Sequence, residues 1–145
     1  MKVRVEECRG LAEPELIVRC RRLDAALAGF VEQLRRYPLT IAAEKDGRVY
    51  AVAPPEIFYI EAVDAQTFLY RADDVLRTQK RLYVLEQELA DCGFLRVSKS
   101  CMLNLQRLQS VAPQFDGRME AHLENGEIVT VNRRYVKAFK KAFGL

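Results

Sequence analysis

Two dipeptides, Asp46-Gly47 and Asn125-Gly126, most narrow what this chain can fold into. Each lies between short runs of strand-forming residues, in TIAAEKDGRVYAV and in RMEAHLENGEIVTV. Asp-Gly and Asn-Gly accept the positive φ angles that tight turns need, so both stretches read as β-hairpins. The texture between them stays β. IFYIEAV and QTFLYRA read as strands joined by a tight Asp64-Ala65 corner, residues 75–78 as a further short strand, and LQSVAPQF as another. RLYVLEQELADCG breaks the pattern, because Leu82, Leu85 and Leu89 form a helical stripe and Gly93 suits its C-cap. A closing helix over about 133–143 ends before Gly144.

The first 38 residues are organised differently. Val3 and Val5 alternate with charged residues, and LIVRC at 16–20 is strand-like, so two short strands are expected. From Leu23 to Arg36 the period becomes helical: Leu23, Leu27, Phe30, Val31 and Leu34 share a stripe. Asp24 suits the N-terminus, Arg35 and Arg36 the last turn, and Pro38 closes the element. The chain therefore divides into a strand–strand–helix extension, 1–38, and a mostly β (α+β) domain, 39–145, with two short helices. The extension holds too little apolar material to fold alone. Its bare helix stripe is covered either by its own chain or by a second copy.

Half of the 145 residues are hydrophobic and 30% are charged, so a packed core is expected rather than disorder. Residues 94–145 carry nine Lys/Arg against four acids, whereas residues 40–93 carry six against ten. One end of the protein is positive and fitted to an anion. The start of the chain lacks the apolar core of a signal peptide, and no apolar run reaches membrane-spanning length, so a cytoplasmic location is expected. No C-x-x-C pair occurs among Cys8, Cys20, Cys92 and Cys101, and the one histidine, His122, has no partner at ligand spacing. No metal or other cofactor is expected, and the cysteines read as reduced core residues.

Catalytic chemistry finds no support. His122 sits in a hairpin strand without a nucleophile at motif spacing, Glu86 and Glu88 point apart on a helix, and no Gly-rich phosphate loop is present. Enzyme activity is not expected. Two basic features remain. Arg133, Lys137, Lys140 and Lys141 share one face of the closing helix, opposite Val136, Phe139 and Phe143. Ser98-Lys99-Ser100 interrupts the apolar run FLRVSKSCMLNL. Hydroxyls and an ammonium on a short anchored loop suit phosphate oxygens and base edges. A polar turn and a solvated helix face remain the plain alternatives.

The runs FLRVSKSCMLNLQRLQSV and GRMEAHLENGEIVTVNRRYVKAFKKAF resemble the C-terminal half of the LytTR DNA-binding domain. Upstream, PPEIFYIEAVDAQTFLYRADD resembles that family's I-x-Y-I-E-A strand and the corner after it. The resemblance covers about residues 40–145. It implies a bacterial transcription regulator with an elongated, mostly β fold that reads double-stranded DNA through loops laid into successive major grooves. Ser98 stands where many members have histidine, and Asn132 stands where the family's S-R-R-Y has serine. Residues 1–37 are too short for a receiver domain and lack its acidic signature, so the resemblance implies the stand-alone type.

Carried over by position, the DNA-contacting residues are Gln66 and Thr67 at the first corner, Ser98, Lys99 and Ser100 in the interrupted strand, and Asn132, Arg133, Arg134 and Lys137 at the closing helix. Arg133 and Lys99 suit guanine edges, and the two serines suit phosphates. Asn132 keeps two roles open, a base contact and a helix cap. Asn104 matches a family asparagine and reads as structural. The implied partners are paired, directly repeated DNA half-sites and a second copy of the chain, with a membrane protein as a functional neighbour. The competing reading is an interaction module whose basic end meets an acidic or membrane-protein partner.

Overall fold

The computed structural model describes residues 1–12, 14–35 and 39–145. Among these, ten strands form two antiparallel sheets. The larger has seven strands: β1 (Ile41–Lys45), β2 (Arg48–Val52), β3 (Tyr59–Val63), β4 (Gln66–Tyr70), β5 (Val75–Thr78), β6 (Phe94–Ser98) and β7 (Cys101–Asn104). Their order is β2-β1-β5-β4-β3-β7-β6. The smaller has β8 (Leu108–Pro113), β9 (Met119–Leu123) and β10 (Ile128–Val131), in the order β10-β9-β8. Three helices accompany them: α1 (Ala25–Arg35), α2 (Leu82–Glu88) and α3 (Arg133–Phe143). The architecture is mostly β, as the hairpin signals require.

The turns follow local chemistry. Lys45 pairs with Arg48 across Asp46 (φ 52) and Gly47 (φ 75), a two-residue turn with both central residues left-handed. At the other dipeptide only Gly126 (φ 88) is left-handed. Leu123 N donates to Glu127 O, and the Asn125 carboxamide oxygen accepts from Glu127 N, so a longer turn joins β9 to β10.

Each face of the large sheet has its own apolar cluster. On one, Ile41, Val52, Ile60, Leu69, Leu76 and Met102 lie under Leu82, Leu85 and Leu89. A 3-10 turn, Ala90–Cys92, carries α2 on to Gly93, whose φ of 82 stops the helical path. On the other, Phe58, Val97 and Leu103 meet Met119, Ala121, Leu123 and Val131 of the small sheet, with Phe139 of α3. Both clusters draw their residues from 39–145.

Asn104 binds this frame from inside and is fully buried. Its Nδ2 donates to Ile57 O at 2.8 Å, and its Oδ1 accepts from Gln106 N at 3.0 Å. Two 3-10 turns, Pro54–Glu56 and Leu105–Arg107, are thereby fixed to each other. Asn104→Ala is expected to cost on the order of 1–3 kcal/mol for each buried backbone group left without a partner, read as a fall in the denaturant midpoint.

The N-terminal segment departs from the sequence expectation. No strand forms within the described residues 1–24. A strand exists through its ladder, and residues 3–5 and 16–20 make none in this chain, with Val3, Val5, Leu16 and Ile17 left 83%, 85%, 70% and 69% exposed. The helix does form, and the Asp24 carboxylate accepts from Leu27 N at 2.7 Å as its cap. Arg36 and Pro38, expected to end it, lie outside the described residues. Cys101 is buried and Cys92 half-buried, but Cys8 and Cys20 are exposed, so two of the four cysteines are not core residues. They sit on the unladdered stretch, where no core reaches them. No helix among the described residues is long and apolar enough to cross a membrane.

Candidate nucleic-acid interface

Three loops meet at one end of the large sheet. The first is the β3–β4 corner. Val63 pairs with Gln66, which leaves Asp64 (φ 49) and Ala65 (φ 63) as its two-residue turn. A left-handed alanine costs roughly 1–2 kcal/mol, so the corner is held by the strands it joins. Gln66 is exposed, but Thr67 is only 4% exposed and pairs with Thr78 of β5. Thr67 is therefore placed to shape the corner rather than to meet a ligand.

The second is the β6–β7 turn. Ser98 pairs with Cys101, with a register shift between Arg96 and Ser98, so Lys99 and Ser100 form the tip. Such bulges re-aim side chains. The tip is braced internally: the Ser98 hydroxyl oxygen accepts from Ser100 N at 3.2 Å. Arg96 Nη1 donates to Lys99 O at 2.8 Å, while its Nε lies 2.8 Å from Glu86 Oε2 on α2. Ala62 N donates to Ser100 O at 2.8 Å, which joins this turn to the first corner. Lys99 and Ser100 are exposed and Ser98 is half-buried.

The third is the start of α3. Asn132 N donates to Val97 O at 2.9 Å, setting the helix beside β6 and the serine turn. Asn132 holds the N-cap position, yet its side chain makes no capping bond, so the exposed carboxamide is left to the solvent side. Arg133 and Arg134 open the helix, and its first turn holds no acid. The helix dipole disfavours cations there and favours anions. Two arginines at that point cost stability unless something negative meets them. The Arg133 stem passes close to the β8–β9 turn: a Cβ on Gly117 (φ 86) would lie 3.0 Å from Arg133 Cδ. Lys137, Lys140 and Lys141 are exposed beyond it, while Phe139 anchors the opposite face.

The structure thus brings Gln66, Lys99, Ser100, Asn132, Arg133, Arg134 and Lys137 to the exposed surface of one region, and turns Ser98 and Thr67 partly or wholly inward. Three other residues escaped the sequence reading. Arg96 braces the serine turn. Arg81 is exposed and lines a concave surface with Ala65, Gln66 and Gln79. Its signal was present in the sequence, since arginine is not a favoured residue just before a helix. Phe115 is fully exposed on the turn that holds Gly117, and its ring can lie against sugars or unstacked bases. Exposure alone marks it out, which no sequence pattern supplies.

Reactive groups are muted. Burial, aided by Glu61, pushes the Cys101 thiol up to about 12, so it stays protonated. Burial and a hydrogen bond with Glu127 raise the Tyr59 hydroxyl above its ordinary range. His122 pairs with Glu120 at 3.2 Å. Among the described residues, no group of three or more His, Cys, Asp or Glu could hold a metal ion.

Comparison with known proteins places this arrangement. The family model described as the LytTr DNA-binding domain matches residues 47–144. The sensory transduction protein LytT of Enterococcus faecalis is 31% identical over 105 residues, 72% of this chain and 43% of that one. The transcriptional regulatory protein BtsR of Escherichia coli is 41% identical over 51 residues, 35% of this chain and 21% of that one. The chain spans less than half the length of these curated relatives. Among solved structures, the LytTr DNA-binding domain of a protein described as a methyl-accepting/DNA response regulator from Bacillus cereus shares the fold. Its TM-score is 0.69 at 22% identity, covering 73% of this chain and 97% of that one. With a family model spanning residues 47–144 and a fold shared with that solved domain, the chain belongs to the LytTr DNA-binding domain family.

Proposed function

We propose that this chain binds double-stranded DNA with sequence preference and regulates transcription, entering successive major grooves with the loops gathered at one end of the sheet. The observation that carries the reading is the start of α3: two arginines in an acid-free first turn, beside the braced Ser98–Ser100 turn. Arg133 and Lys99 are assigned to guanine edges, and Asn132 to a base edge through its uncapped carboxamide. Ser100, Arg134, Lys137 and Arg81 take phosphates, and Gln66 takes whichever edge or phosphate the corner meets. Ser98 and Thr67 hold the shapes of their turns. A regulator of this kind works where the genome is, in the cytoplasm. Two copies on directly repeated half-sites would gain affinity through effective concentration.

The test is a binding titration over several salt concentrations on duplex selected from a random pool. Several neutralised phosphates give a log–log slope on the order of −4 to −7. Binding that ignores salt, or a protein that selects no duplex and prefers an acidic polypeptide, overturns the reading.

A further inference from the structure

The described residues 1–24 form an amphipathic surface that this chain leaves bare. Lys2, Arg4 and Glu6 of one stretch and Glu15, Ile17 and Arg19 of the other line a common cleft of about 390 Å³. Alternate residues lining one cleft is the period of extended chain. The stretches turn back between them, with Leu11 N donating to Cys8 O. The intervening residues, Val3, Val5, Leu16, Val18 and Cys20, belong to the opposite face, and all five are exposed. The helix that follows lies against the Ala90–Cys92 turn with Leu27, Val31 and Leu34 half-buried, so the bare surface is that of the extended stretches, with Leu23 and Phe30 58% and 41% exposed at its edge.

The geometry points to a second copy of this chain as the occupant, joined by antiparallel pairing of residues 15–21 with the same residues of its twin. The argument is charge and face complementarity under two-fold symmetry. Pairing centred on Val18 sets Val18 against Val18, Leu16 against Cys20 and Glu15 against Arg21. Every residue of one face is then apolar, and both ends carry an opposite-charge pair, which cross-strand neighbours favour. The same operation centred on Val5 also matches Arg4 with Glu6, but it sets Glu7 against Val3 on the apolar face. Arg4 and Glu6 already pair within the chain at 3.1 Å. The 15–21 register is therefore the one that keeps charge off the apolar face; on the other face it sets Ile17 against the Arg19 stem. It supplies the ladder that the chain alone does not, and it doubles the apolar face of the paired stretches. This rests on the reading above only in that two copies act together, and it is measured without DNA, so either can fail alone.

The experiment uses the full-length chain. In a Cys8→Ala, Cys20→Ala background, Val18→Cys should form a disulfide-linked dimer on mild oxidation. Residues directly opposite in an antiparallel pair have Cα atoms about 4.5–5.5 Å apart, within disulfide reach. Val5→Cys in that background should not cross-link. Sedimentation should show that Glu15→Arg or Arg21→Glu weakens self-association at least about tenfold, and that the double exchange restores it, since the pair is re-formed with its signs reversed. Circular dichroism confirms that each variant keeps its β domain. A chain that stays monomeric at high concentration, a Val5→Cys dimer without a Val18→Cys dimer, or charge exchanges that fail to compensate would overturn the proposal.

Discussion

Arg133→Ala is expected to weaken binding to the selected duplex by roughly 1–3 kcal/mol, about 5- to 150-fold in Kd, and to relax the preference at one or two base pairs. The expectation rests on position rather than charge alone. Arg133 is exposed at the first turn of α3, and its stem is set against Gly117. A guanidinium carried on a stem that is backed at its base can make the two parallel bonds that distinguish guanine. Lys140 and Lys141 lie in the last turn of the same helix, exposed and away from the serine turn. Lys140→Ala and Lys141→Ala should weaken all duplexes about equally and flatten the salt slope. Binding-site selection on each variant separates the two outcomes. If Arg133→Ala weakens every sequence alike while Lys140→Ala changes the preference, base reading lies on the exposed helix face.

The largest effect on stability is expected from Phe139→Ala. Phe139 is fully buried between the small sheet, β6 and its own helix. Removing a buried phenyl ring costs about 3–5 kcal/mol, from lost transfer energy and from the cavity left behind. Few side chains bind α3 to the sheets, with only Tyr135 and Val136 of that helix half-buried alongside Phe139. The substitution should therefore lower the denaturant midpoint and loosen the seat of Asn132 and Arg133 together, so affinity falls with stability. Phe143 is the internal comparison: it stacks on Phe139 at 6.2 Å between ring centroids but is 41% exposed. Phe143→Ala should cost well under half as much, because much of its surface is already in water. Equal costs for the two would mean that α3 is not anchored through Phe139.

What the sequence determined by itself is whatever depends on neighbours along the chain. Asp46-Gly47 fixed a hairpin because the two-residue turn that Asp-Gly favours has left-handed φ at both positions, and both have it. The Leu82, Leu85 and Leu89 stripe fixed α2 because i, i+3 and i+7 share one helical face, and all three are buried. Asp24 announced its helix for the same local reason, since a cap acts within three residues. The order of motifs from the first corner to α3 was legible too, and with it the family. Tertiary structure decided what depends on residues far apart. Whether Thr67 faces out or in turns on its sharing the sheet face of Leu69, which the distant α2 helix covers. Arg96 became a brace only because Glu86 and Lys99 O fold to either side of it. Phe115 and Cys8 proved exposed because no other element packs over them, a property that no local pattern encodes. The stretches 3–5 and 16–20 have strand-forming residues and no ladder, because a strand's hydrogen bonds belong to its partner. For those residues, composition proposes an extended chain, and only a neighbouring strand can make it a sheet.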